Sequence, residues 1–148
     1  MPGECYLVVR AFESASRERD PAMPASRITI LCIDDDPNAV MIRRLVLVSA
    51  GYEVATATDS VEALLLFAEQ DIDLVISDHF LRGTTGGEIT AQMKAIKPAV
   101  PIVIISGFPE RPDGTEHAEV YIEKGGPPQA MLAIVAELLS RKATAQGA

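Results

Sequence analysis

From Arg27 onward, apolar residues follow two alternating periods. Residues 28–33 (Ile-Thr-Ile-Leu-Cys-Ile) form an unbroken apolar run rich in β-branched side chains, which predicts a strand buried on both faces. Asp36-Pro37 then supplies an N-cap followed by proline at the first helical position. Val40, Met41, Leu45 and Val48 recur at helical spacing, and Gly51 is placed to end that helix. Residues 53–57 predict a second strand, and Asp59 or Ser60 caps a second helix with the stripe Val61, Leu64, Leu65 and Ala68. Strands at 72–77, 101–106 and 120–122 follow, with a helix at 87–96 between the first two. Pro127-Pro128 opens a last helix with Met131, Ile134, Val135 and Leu138 on one face. Strictly alternating strands and helices predict an α/β fold, a doubly wound, mostly parallel five-stranded sheet of flavodoxin-like order 2-1-3-4-5.

The first 26 residues lack such a pattern and read as a leader ahead of one domain at 27–141, with a polar tail at 142–148. Residues 5–9 are compatible with an added edge strand, and Met23-Pro24 offers an alternative start. A length of 148 residues suits one domain. No apolar stretch approaches bilayer length, which excludes a membrane span. Two cysteines cannot build a disulfide framework, and no secretory signal is present, so a cytoplasmic location is expected. With 21 acidic against 13 basic residues, the net charge of −8 argues against nucleic acid as a partner.

In doubly wound sheets the functional crevice lies beyond the carboxyl ends of the strands. Those ends carry Asp34-Asp35-Asp36, Asp78, Ser106-Gly107 and, shortly after the fifth strand, Lys124. Crowded carboxylates repel one another unless a cation neutralises them, and an all-oxygen set with open positions suits Mg²⁺. An aspartate beside that ion can accept a phosphoryl group, with Lys124 and Ser106 holding its oxygens. Each residue also has a plainer reading. Asp36 is most simply a helix cap, Asp34 and Asp35 solvated turn residues, Asp78 the start of a loop, Ser106 a strand-end hydroxyl satisfying its own backbone, and Lys124 a surface lysine. Their joint occurrence in this chain order is what carries the signal.

From about 27 to 139 the chain resembles the receiver domains of bacterial two-component response regulators. The resemblance rests on residues 33–37 (Ile-Asp-Asp-Asp-Pro), 73–78 (Asp-Leu-Val-Ile-Ser-Asp), 81–89 with Gly86, 101–107 (Pro-Ile-Val-Ile-Ile-Ser-Gly) and 121–124 (Tyr-Ile-Glu-Lys). It implies that Asp78 is the phosphorylated residue and that Asp34 and Asp35 are the acid pair holding Mg²⁺, completed by Asp78 itself and the backbone carbonyl of Phe80. It further implies that Ser106 is the switch hydroxyl and Tyr121 the aromatic that moves with it, while Gly107 keeps the space above the aspartate open. The implied partners are a sensor histidine kinase or histidine phosphotransfer protein and a downstream protein target.

The chain also departs from the family. Gly125, where proline is usual, follows Lys124, so a trans linkage is expected there. Arg82 stands where proline is common, and the interval from Ser106 to Lys124 is about one helical turn short. Residues 107–115 hold two prolines and two glycines, so the fourth helix is expected to be short, irregular or mobile. His79 reads as a solvent-facing residue, and His117 carries no signal. The short tail leads to the expectation of a stand-alone switch that catalyses only its own phosphorylation and dephosphorylation. Two alternatives stand beside it: a degenerate receiver acting as an unphosphorylated interaction module, and a haloacid-dehalogenase-type phosphatase. The phosphatase is disfavoured because the first strand lacks an Asp-x-Asp-x-Thr ending. Flavin binding is weaker still, since the acidic loop would repel its phosphate.

Overall fold

A computed structural model describes residues 27–147, with side chains to residue 143. The leader and the edge strand considered at 5–9 lie outside the described residues. The elements are β1 (Thr29–Ile33), α1 (Pro37–Ser49), β2 (Glu53–Ala57), α2 (Ser60–Glu69), β3 (Leu74–Asp78), β4 (Phe80–Leu81), β5 (Thr84–Thr85), α3 (Gly86–Ile96), β6 (Ile102–Ser106), β7 (Val120–Glu123) and α4 (Pro128–Gly147).

Five of the strands form one sheet, ordered β2-β1-β3-β6-β7, with every neighbouring pair parallel. This is the 2-1-3-4-5 order once the separate antiparallel β4–β5 hairpin is set aside. The central strands β1, β3 and β6 are buried along their whole length, as their unbroken apolar runs require, while the outer strands β2 and β7 are partly exposed. Alternation along each strand splits the core into two layers. Leu31, Ile33, Val75, Ile102 and Ile104 pack with Ala63 and Phe67 of α2 and Ile89 and Met93 of α3. Ile30, Cys32, Leu74, Ile76 and Val103 pack with Leu47 of α1 and Met131, Val135 and Leu138 of α4. Cys32 is a core residue, and burial pushes its thiol up to about 12 against the opposing charge of Arg43.

Two helix faces differ from the pattern reading. In α1, Met41, Leu45 and Val48 are exposed, whereas Val40 and Leu47 are buried. The true inward stripe runs Val40, Arg43, Leu47, and an arginine in its middle makes it look polar. In α2, Val61, Leu65 and Ala68 are exposed and Ala63 and Phe67 buried, because Phe67 and the small Ala63 fit closest to the sheet. The stripe of α4 is as expected for Met131, Val135 and Leu138, and that helix continues through the segment read as a tail, to Gly147. The hairpin β4–β5 lacked a sequence signal beyond Gly83, which takes φ +76° in its turn.

No helix forms between β6 and β7; residues 107–119 are bends and turns. Arg111 holds this segment together. Its Nε donates to Thr115 Oγ1 at 3.0 Å, and Nη2 donates to the Thr115 and Ala118 carbonyls, the latter at 2.7 Å. Thr115 and Ala118 are buried, Ala118 within the core layer that holds Ile89 and Met93 of α3. Arg111→Ala removes three N–H donors, taking from the Ala118 carbonyl its Arg111 partner while the Thr115 carbonyl keeps the Ala118 amide at 3.0 Å, at an expected cost of about 1–3 kcal/mol. Hydrogen exchange should accelerate at residues 115–120 while β1 keeps its protection; uniform exchange across the chain would contradict this.

Candidate functional site

Strands β1, β3 and β7 deliver four charged groups, Asp34, Asp35, Asp78 and Lys124, to one end of the sheet. Asp34 follows β1, and its amide donates to the Ala57 carbonyl at 3.2 Å, which fixes the turn out of the strand. Its carboxylate is 1% exposed, and Oδ1 accepts the Asp36 amide at 3.0 Å. Asp36 caps α1, accepting from the Asn38 amide at 3.0 Å with Pro37 at the first helical position, so its role is the plain one. Asp35 is half-buried; Arg82 lies 3.8 Å from its Oδ2 but is 88% exposed, so that pair contributes little.

Asp78 ends β3 opposite Ile105 of β6, and the His79 amide donates to the Ile105 carbonyl at 3.1 Å. The N-terminus of α3 is pressed onto this strand end, and the Gly86 amide donates to the His79 carbonyl at 2.6 Å. Lys124 is anchored by its amide, which donates to the Ser106 carbonyl at 2.7 Å. Its Nζ reaches 3.2 Å from Asp78 Oδ2 and 3.6 Å from Asp34 Oδ2. The peptide bonds here are trans, as no described residue has a cis bond, and Gly125 takes φ +97° in the turn that replaces the usual proline.

Asp34, Asp35 and Asp78 each offer a carboxylate oxygen within 4.8 Å of the others. Burial holds the Asp78 carboxyl above its usual range, and the Asp34 charge pushes the same way; Lys124 and the His79 amide pull against both. These three carboxylates are the groups that would hold a small divalent cation such as Mg²⁺, whose preference is for oxygen ligands with water in the remaining positions. Three carboxylates, two of them buried, facing one half-exposed ammonium and the Arg43 guanidinium keep an excess negative charge, which fits a small divalent cation.

Ser106 is wholly buried, and its hydroxyl has no partner among the described residues. It adjoins Ile105, the residue across from Asp78. An orphan hydroxyl at the edge of the acid cluster is a donor awaiting an acceptor. Tyr121 pairs with Ile104 and packs partly into the core, and its hydroxyl donates to the carbonyl of Phe108, two residues past Ser106. Phe80 and Phe108 stand half-exposed beside one another, ring centroids 5.2 Å apart. Gly107 leaves open space around its Cα.

The cluster therefore assembles from the residues singled out by strand-end position. His79 is a correction: it is buried, not solvent-facing, with Nδ1 unpartnered among the described residues and its ring edge-on to Phe80 at 4.7 Å. Burial lowers its basicity against the opposing pull of Asp78. It faces away from bulk water because Gly86 and Gly87 let α3 come down over it. Arg43, whose Nη2 lies 3.3 Å from Asp34 Oδ2, had no sequence signal, since helical arginines are usually solvated.

A family model described as the response regulator receiver domain matches residues 30–136. The transcriptional regulatory protein GlrR of Escherichia coli K12 is 33% identical over 84 residues, covering 57% of this chain and 19% of GlrR. The chain thus spans about a fifth of that relative's length. A CheY-like receiver domain protein from Methanospirillum hungatei superposes with a TM-score of 0.76 at 23% identity, covering 80% of this chain and 98% of that one. The response regulator TrrA of Thermotoga maritima, solved in complex with Mg²⁺-BeF, gives 0.71 at 27% identity, covering 75% and 98%.

Proposed function

Because the chain belongs to the response regulator receiver domain family, we propose that it is a phosphoacceptor switch of a two-component signalling pathway, with Asp78 as the acceptor. The donor is the phosphohistidine of a sensor histidine kinase or histidine phosphotransfer protein. A carboxylate oxygen of Asp78 forms the new P–O bond as the P–N bond to imidazole breaks, and the imidazole leaves with a proton from solvent. The observation that carries this reading is the placement of Lys124 Nζ, 3.2 Å from Asp78 and 3.6 Å from Asp34, beside a three-carboxylate cluster.

Asp34, Asp35 and Asp78, with the backbone carbonyl of Phe80, would hold Mg²⁺. When bound, the ion neutralises the acids and spreads charge from the transferring oxygens. Lys124 exchanges its pairing with the Asp78 carboxylate for one with a phosphoryl oxygen. The unpartnered Ser106 hydroxyl gains an acceptor there, and movement of the strand end that carries it passes through Phe108 to Tyr121, whose hydroxyl already holds the Phe108 carbonyl. Output is contact with a downstream protein target. No helix among the described residues is long and apolar enough to cross a membrane.

The test is incubation with acetyl phosphate and Mg²⁺, read by intact mass. Wild type should gain one phosphoryl group, and both Asp78→Asn and omission of the metal should prevent it. A wild-type chain that never labels would leave an unphosphorylated interaction module as the better account.

A further inference from the structure

Helix α1 turns one stripe toward the sheet, and a basic residue stands in the middle of it. Val40 and Leu47 are buried, and the Arg43 side chain between them is 10% exposed. A guanidinium so placed destabilises a fold unless it has a strong partner, because it cannot shed its proton as a buried lysine does. Its partner is Asp34, with Nη2 3.3 Å from Oδ2. That same oxygen is 3.6 Å from Lys124, while Oδ1 already accepts the Asp36 amide. Both oxygens of Asp34 are thus engaged by the chain's own donors. Arg43 Nη1 is buried without a partner among the described residues, so the guanidinium is only partly satisfied by them.

We propose that Arg43 is a resident counter-cation that lowers the Mg²⁺ affinity of the pocket through Asp34. The inference rests on the reading of the acid cluster as a Mg²⁺ site. A divalent ion bound to Asp34 must share that carboxylate with a fixed positive charge a few ångströms away, in a setting poorly screened by water. With its side chain only 10% exposed, the guanidinium has little room to swing aside. The acid pair is consequently stable without metal, and occupancy by Mg²⁺ responds to its concentration instead of being permanent. A leucine at this position would complete the apolar stripe and leave Asp34 dependent on the ion.

Titration calorimetry with MgCl₂ on the full chain tests this in wild type, Arg43→Leu and Arg43→Gln. Both neutral variants should bind Mg²⁺ about tenfold tighter than wild type. Metal-free Arg43→Leu should also melt lower than wild type and gain more from saturating Mg²⁺. If Arg43→Leu does not fold, Arg43→Gln, which keeps a donor without the charge, decides. Unchanged or weaker affinity in a folded neutral variant overturns the proposal, since a purely structural arginine would loosen the site when removed. Asp35→Ala separates the two levels: if wild type binds no Mg²⁺, or binds it no better than Asp35→Ala, the metal-site reading itself fails and the role of Arg43 falls with it.

Discussion

Gly87→Ala is expected to lower the melting midpoint by roughly 10–20 °C, a cost of about 3 kcal/mol in a domain of this size. A Cβ at Gly87 would stand 2.1 Å from the Gly114 carbonyl oxygen and 2.9 Å from its carbon. Both are backbone atoms, so no rotamer change relieves the overlap. Either α3 lifts from the sheet or the turn at Gly114 moves, and that turn belongs to the segment stapled by Arg111. The preceding Gly86 is nearly as tight against the site itself, a Cβ there falling 2.5 Å from the Asp78 carbonyl oxygen and 3.0 Å from His79 Cα. Gly86→Ala should therefore shift Asp78 as well as destabilise the fold. A thermal melt of each variant checks this, and a Gly87→Ala midpoint within two or so degrees of wild type would contradict the packing described.

Asp78→Asn is expected to make the metal-free protein more stable at neutral pH, not less. Burial and the neighbouring Asp34 hold the Asp78 carboxyl above its ordinary range, so the fold favours the neutral acid. Well below the ordinary carboxylate pKa of about 4, Asp78 is protonated in folded and unfolded chains alike and carries no penalty. As pH rises through the ordinary value toward the raised one, the unfolded chain loses its proton first and stability falls. Above the folded value the penalty is complete. Asparagine removes it, at the loss of a contact with a half-exposed Lys124 that still has Asp34 at 3.6 Å. Urea midpoints at pH 7 and near pH 3 should show a gain for Asp78→Asn at the first and little difference at the second. A loss at pH 7, or a gain independent of pH, would contradict the electrostatic account.

The strands and the acid cluster were legible in the sequence for the same reason. Strands buried on both faces are largely apolar, so the polar residues that follow Ile33, Ile76 and Ile105 stand out as the strands' carboxyl ends, where a parallel sheet gathers its chemistry. Helix faces were less legible. In α1 nearly every position from Val40 to Val48 is apolar except Arg43 and Arg44, so period alone cannot say which stripe is buried. The stripe with the fewest charges loses to the one whose arginine has a carboxylate waiting in the sheet. His79 was misplaced because burial there depends on two glycines seven and eight residues later, a contact made only by the fold. The loss of a helix after β6 was foreshadowed by proline and glycine in residues 107–115, but the arginine staple that replaces it runs from a side chain to backbone carbonyls, which residue types do not mark.

The central claim is that Asp78 itself, not a neighbour, receives the phosphoryl group. Borohydride reduction of the labelled protein converts an aspartyl phosphate to the corresponding alcohol, which peptide mass mapping can place. The account predicts one reduced residue, at Asp78, found only when Mg²⁺ and phosphodonor are both supplied. A label that resists reduction and maps to His79 or Ser106, or a reduced residue at Asp34 or Asp35, would contradict it.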